Sequence, residues 1–168
     1  RKHLLPFFEK LVDTVITART SADSTQAELD IARVGDRLGA QAIGQWLESW
    51  DVDARFIEVD GKPHYRMREA VEKTYHTRRG CVRVSRHVYR PSGEHNASIV
   101  CPVEAAVGMV GGQWTPGCAE AMAYVAQEVP ERAAAKVSAK LGAMDYSHNS
   151  FKRVARALGE RWEADRDR

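Results

Sequence analysis

The chain has 168 residues, 43% of them hydrophobic and 29% charged, with a formal net charge of +2. That supplies a core for one domain or two small ones, and the lack of any run of eighteen apolar residues excludes a transmembrane helix. Three cysteines, at 81, 101 and 118, are odd in number and widely spaced, which argues against a disulfide framework and fits a reducing cytoplasm.

Leu4 to Arg19 reads as a helix, with apolar residues at 4, 5, 8, 11, 12, 15 and 16. Pro6 fits if the helix begins near it, because a first turn tolerates proline. A polar break over Thr20–Ser24 follows. Thr25 and Glu28 have capping-box spacing for a second helix running to about Trp50. Leu29, Ala32, Gly39, Ile43, Trp46, Leu47 and Trp50 recur on it three or four apart, and the tryptophans read as core or interface residues. Gly35, Gly39 and Gly44 cost a helix roughly 1 kcal/mol each against alanine, which close packing of another helix would explain. The two helices form an antiparallel pair.

Residues 51–65 read as a connector, with a turn at Asp60-Gly61-Lys62-Pro63. One strand is predicted over Arg68–His76, a turn over Thr77–Gly80 and a second strand over 81–90. Pro91–Glu94 makes another turn, and Ala97–Val100 a short third strand. Val82, Val84 and Val88 are assigned to one face of the second strand, and Arg83, Ser85 and His87 to the other. His76 and His87 are placed across the hairpin from each other, as a packing pair. Gly108–Gly112 reads as a linker. Thr115-Pro116 opens a helix that Val129-Pro130 ends. The next helix turns Ala134, Val137 and Leu141 inward and stops at Gly142. Ser147 or Ser150 caps a last helix with Phe151, Val154, Ala155, Leu158 and Trp162 inward. The fold class is α+β: an N-terminal helix pair, a small three-stranded antiparallel β meander, and a C-terminal three-helix bundle with a helix-turn-helix-like unit. The domain reading is a helical assembly segment over 1–60, a basic antiparallel β region over 61–112 and a helix-turn-helix-like region over 113–168.

The charge is uneven. Residues 1–61 carry 7 basic and 11 acidic side chains, residues 62–100 carry 9 and 3, and residues 101–168 carry 9 of each. The positive excess sits in the middle third, as a footprint for a polyanion or simply as a solvated strand face. Arg78, Arg79, Arg83 and Arg86 are the hairpin cations placed along a phosphate backbone. The last two helices have helix-turn-helix layout, with a connection longer than the usual three or four residues. The last would present His148, Asn149, Ser150, Lys152, Arg153 and Arg156 to DNA. Asn reads adenine and Arg reads guanine, while Lys and Ser hold phosphate.

No metal site is expected. Histidines at 3, 64, 76, 87, 95 and 148 form no His-x-x-x-His, and no Cys-x-x-Cys occurs. No catalytic residues are assigned: there is no phosphate loop, and Cys81 and Cys101 read as small buried hydrophobes. The start carries no signal-peptide pattern, and Arg1 in place of Met suggests a piece of a longer polypeptide.

The succession Thr77-x-x-Gly80-x-Val82-x-Val84-x-Arg86-x-x-Tyr89, then Cys101-Pro102-Val103-Glu104-x-x-x-Gly108-Met109, then Thr115-Pro116, resembles the N-terminal half of bacterial insertion-sequence transposases of the Kra-type group. Ser147-x-x-Ser150-x-x-Arg153 is similar to the step that leads into their catalytic part. The resemblance covers about residues 25–165. The Cys-x-x-Cys pair that members often carry is replaced by Arg90–Glu94, so no zinc is carried over. The resemblance implies the DNA-recognition and assembly region of a DDE-type transposase. The RNase H-like catalytic domain, with its magnesium, would follow residue 168.

These readings converge on a non-catalytic, cytoplasmic DNA-binding region that recognises transposon-end duplex DNA, with a homo-oligomer expected, no membrane partner and no cofactor in this chain. The alternative is an oligomerisation or assembly domain of a larger nucleoprotein complex without base readout. A third reading is a hydrolase or nuclease acting without the missing domain.

Overall fold

The computed structural model of the protein describes residues 4–18, 23–93 and 97–167. Helix α1 (Leu5–Ala18) packs against α2 (Ser24–Glu48), and Pro6 does lie in the first turn. The break expected over Thr20–Ser24 lies mostly outside the described residues. Asp23, not the Thr25–Glu28 box, caps α2: its carboxylate accepts from the Thr25 and Gln26 amides at 3.0 Å. The Asp side chain is already in place two residues earlier, so the helix starts before Thr25.

The C-terminal half of α2 lies on a β-hairpin, and its glycines show how. A Cβ on Gly44 would fall 2.4 Å from Val82 Cγ2, and one on Gly39 would meet the stem of Arg79 at 3.2 Å. Gly35 faces open space. The close neighbour is therefore a strand, not the helix expected. Leu47 is fully buried there, whereas Trp46 and Trp50 are about half exposed and outside the core.

The α+β class holds, with a helix pair, β structure and C-terminal helices in that order. The β region is richer than one meander. Strands β1 (Phe56–Val59), β2 (Lys62–Arg66) and β5 (Tyr89–Pro91) form an antiparallel sheet in the order β1-β2-β5. Strands β3 (Val71–Thr77) and β4 (Gly80–Arg86) form a separate hairpin. The supposed connector thus contains β1 and β2. They are joined by Asp60 (φ 52°) and Gly61 (φ 73°), a pair of positive φ angles suited to a tight hairpin. Residues 97–100 form no strand; Val100 alone bridges to Tyr89. The turn expected after Pro91 falls partly on Glu94, outside the described residues.

Helix α3 (Pro102–Val107) stops at Gly108, whose φ of 69° is left-handed. The supposed linker after it is tied into the hairpin. Val110 and Trp114 exchange backbone bonds, the His76 amide donates to the Gln113 carbonyl (2.8 Å), and the Thr115 amide donates to the His76 carbonyl (3.0 Å). Helices α4 (Pro116–Glu128), α5 (Glu131–Leu141) and α6 (His148–Arg166) complete the chain.

Two apolar clusters result. One joins Leu47 of α2 to Tyr75, Val82, Val84 and Val103. The other joins Trp114, Met122, Ala134, Tyr146, Phe151 and Val154. Val137, Leu141, Ala155 and Trp162, expected inward, are exposed instead. Ser138 occupies the inward position on α5, one residue along from Val137. Among the described residues no helix is long and apolar enough to cross a membrane.

Candidate nucleic-acid interface

The hairpin turn is built by Thr77. Its hydroxyl donates to the Gly80 carbonyl (2.8 Å) and accepts from the Arg79 amide (3.0 Å). Gly80, with φ of 107°, supplies a conformation that a side chain would resist. This leaves Arg78 and Arg79 at the tip, both exposed. Arg79 is partly neutralised by Asp36 of α2, at 2.9 Å.

Tyr146 joins this tip to the start of α6. Its buried hydroxyl donates to the Thr77 carbonyl at 2.6 Å, and its ring stands edge-on to His76 at 5.1 Å. Two residues later α6 begins. The Ser147 hydroxyl caps it, accepting from the Ser150 amide at 3.3 Å. Phe151 and Val154 fix the buried face. Asn149, Lys152, Arg153 and Arg156 then share one exposed stripe at helical spacing. Arg156 also pairs with Glu160 (2.8 Å), both well exposed, so that pair holds it only weakly. His148 and Ser150 are half-buried, with Ser150 engaged by the cap.

Arg83 lies on the outer face of the hairpin. Cross-strand pairs His76↔Cys81, Thr74↔Arg83 and Glu72↔Ser85 line one face of the hairpin, and Tyr146 covers its first pair. Arg83 stands one pair further along, exposed.

Arg86 does not belong there. Alternation along β4 puts it on the face of Val82 and Val84, and its side chain is only 12% exposed. Its Nε donates to the Tyr75 hydroxyl (2.8 Å) and lies 3.3 Å from Glu104 Oε1. The same Glu104 oxygen accepts from Tyr75 and from Lys73 Nζ, each at 2.8 Å. Burial, then the bond to Glu104, pushes the Tyr75 phenol far up, so it stays a neutral donor. Arg86 is thus a structural cation held by Glu104, not a backbone-tracking one.

His87 is also turned in, because the chain leaves the strand after Arg86 and the alternation ends. Its Nδ1 is 2.7 Å from Asp51 Oδ2, and its amide donates to Asp51 Oδ1 at 2.8 Å. It does not face His76, whose cross-strand partner is Cys81. His76 Nδ1 and Cys81 Sγ are 3.2 Å apart. Cys81 is exposed as a residue, but partial desolvation of its thiol pushes it up and burial pushes the imidazole down, so the pair is neutral rather than a thiolate–imidazolium nucleophile. Burial pushes the Cys118 thiol up to about 12. Cys101 is buried as the sequence suggests, and Cys81 is exposed. Among the described residues, which exclude His3 and His95, no three His, Cys, Asp or Glu side chains converge as metal ligands.

Sequence reasoning missed Tyr146 and Glu104. Tyr146 had a signal: it precedes the cap Ser147, and Phe151 stands at the fourth helical position, the spacing of a hydrophobic staple. Both lie in one core cluster. Glu104 stands in the Cys101–Met109 motif, but its three donors come from distant strands, so its bonding was not legible.

Comparison with protein-family models, with curated proteins and with solved structures gave no match to this chain.

Proposed function

We propose that this chain binds duplex DNA through one composite surface: the hairpin tip and outer face, with Arg78, Arg79 and Arg83, and the exposed stripe of α6, with Asn149, Lys152, Arg153 and Arg156. The observation that supports it most is the Tyr146–Thr77 hydrogen bond, which holds the arginine tip beside the start of the last helix. A cationic tip suits phosphate contact and a polar helix stripe suits base reading. Combined with the transposase-like succession of residues 77–116, the target is the end of a mobile element. The reading is of a non-catalytic recognition region working in the cytoplasm.

The test is fluorescence anisotropy with labelled duplexes over a salt series. Arg78→Ala with Arg79→Ala should weaken binding to all sequences alike. It should also reduce the slope of log affinity against log salt by roughly 1 to 2, about 0.9 per phosphate contact. Asn149→Ala should instead relax discrimination at one base pair by about 1–3 kcal/mol. No duplex binding by the parent chain at low salt, or slopes unchanged by the double substitution, would overturn the proposal.

A further inference from the structure

At about 100° per residue, α1 divides into three sectors. Leu4, Phe7, Leu11, Thr14 and Ala18 are half-buried, on the side that packs against α2. Glu9, Lys10, Asp13 and Thr17 form a polar strip. Between them lies a third sector: Leu5, Phe8, Val12, Val15 and Ile16, from 39% to 57% exposed among the described residues. The helix has no fully buried residue.

Leu5, Phe8, Val12 and Val15 are spaced three, four and three apart, which is the seam of one helix against another. The seam centre lies roughly 110° around α1 from the centre of its α2-facing side. In a four-helix bundle each helix meets two neighbours at about such an angle, and the α1–α2 pair presents one of the two contacts already made. The seam also reads alike in both directions. In an antiparallel pair about a two-fold axis, Leu5 meets Val15 and Phe8 meets Val12, so larger side chains face smaller ones. Such self-complementarity is what a symmetric interface requires.

We propose that a second copy of this chain covers this face, with α1 packed antiparallel on its twin to make a four-helix bundle from two α1–α2 pairs. The exposed side chains amount to roughly 500 Å² per copy, so about 1,000 Å² between two, near the lower edge of stable interfaces. An interface of that size belongs to the weak, transient class. The proposal is independent of DNA binding.

Sedimentation equilibrium of the full chain, without DNA, across about 1–200 μM tests it. The expected result is a monomer–dimer equilibrium. Phe8→Glu with Val12→Glu should be monomeric throughout, with unchanged far-UV circular dichroism. Should that variant unfold, Phe8→Ala keeps the question open to measurement, and should weaken dimerisation at least about tenfold. Tyr124→Glu, at an exposed aromatic of α4, should leave the dimer intact. A parent chain that stays monomeric, a dimer indifferent to the α1 substitutions, or one broken by Tyr124→Glu would overturn the proposal.

Discussion

Replacing Gly44 by alanine adds one methyl group where α2 crosses the hairpin, 2.4 Å from Val82 Cγ2. Real carbon–carbon contacts lie at about 3.5–4.0 Å, so either the helix retreats by more than 1 Å or Val82 leaves its rotamer. Val82 is 2% exposed and packed with Leu47, Val84 and Tyr75, and has little room to move. Overpacking of this kind costs about 1–3 kcal/mol. Alanine's better helix propensity returns up to about 1 kcal/mol. The net expectation is a loss of about 1–2 kcal/mol, a fall in Tm of roughly 2–8 °C for a chain of this length. Gly35→Ala in the same helix meets nothing within 4 Å, so only the propensity gain remains and stability should rise by up to about 1 kcal/mol. Urea unfolding of both variants gives the two signs in one assay. The clash is specifically with Val82, so Val82→Ala should cancel most of the Gly44→Ala penalty in a double-mutant cycle. Equal effects at the two glycines, or additivity of Gly44→Ala and Val82→Ala, would refute the packing argument.

Tyr146→Phe removes the hydroxyl that donates to the Thr77 carbonyl and should cost about 1–3 kcal/mol in urea unfolding, because the buried carbonyl loses its partner. DNA affinity should fall with it, since the tip would be released from α6. The Cys118 thiol, pushed up to about 12 in the fold, titrates near 9 when unfolded. The native state therefore keeps its proton where the unfolded state loses it. Its contribution is whole below pH 9 and declines as pH rises from 9 towards 12, by up to about 1.4 kcal/mol per unit. Urea midpoints at pH 8, 9 and 10 should fall accordingly, and Cys118→Ala should flatten that decline.

The elements carried by long patterns were legible. Among the described residues, five of the six helices, the Thr77–Gly80 turn and the α+β order follow from 3.6-residue periodicity with proline and capping signals. What stayed hidden was set by tertiary contact. A six-residue helix such as α3 is too short for a period to emerge. Strands β1 and β2 hold Pro63, His64 and charged residues, and become strands by pairing with each other and, for β2, with β5. Face assignments failed where the chain bends: alternation was read through His87 although the strand ends at Arg86. They failed too where apolar character was equated with burial, as at Trp46, Trp50, Val137, Leu141 and Trp162. Within the proposed surface, exposure of Arg78, Arg79, Arg83, Asn149, Lys152, Arg153 and Arg156 followed from local pattern. That Tyr146 would tie the hairpin tip to the start of α6 depended on a contact 69 residues apart.

The structure also changes the size of the electrostatic argument. The middle third carries an excess of six positive charges in the sequence, but much of it is spoken for within the fold. Arg66 is held by Asp53 and lies 3.7 Å from Glu69, Arg79 meets Asp36, and Lys73 and Arg86 share Glu104. Two of those carboxylates, Asp36 and Asp53, come from the acidic first third, so the opposed charge of the two segments is partly cancelled where they meet. A partly buried pair such as Arg86–Glu104 cannot turn outward without leaving Glu104 short of a partner, at a cost that phosphate contact in water would not offset. Of the hairpin cations, Arg78 and Arg83 make no ion pair among the described residues, whereas Arg79 meets Asp36. The proposed binding mode therefore predicts a shallow salt dependence, a few phosphates rather than six, with any strong preference for a particular duplex carried by the α6 stripe. In the proposed complex the hairpin orients the molecule on the DNA backbone, and the helix carries the sequence information.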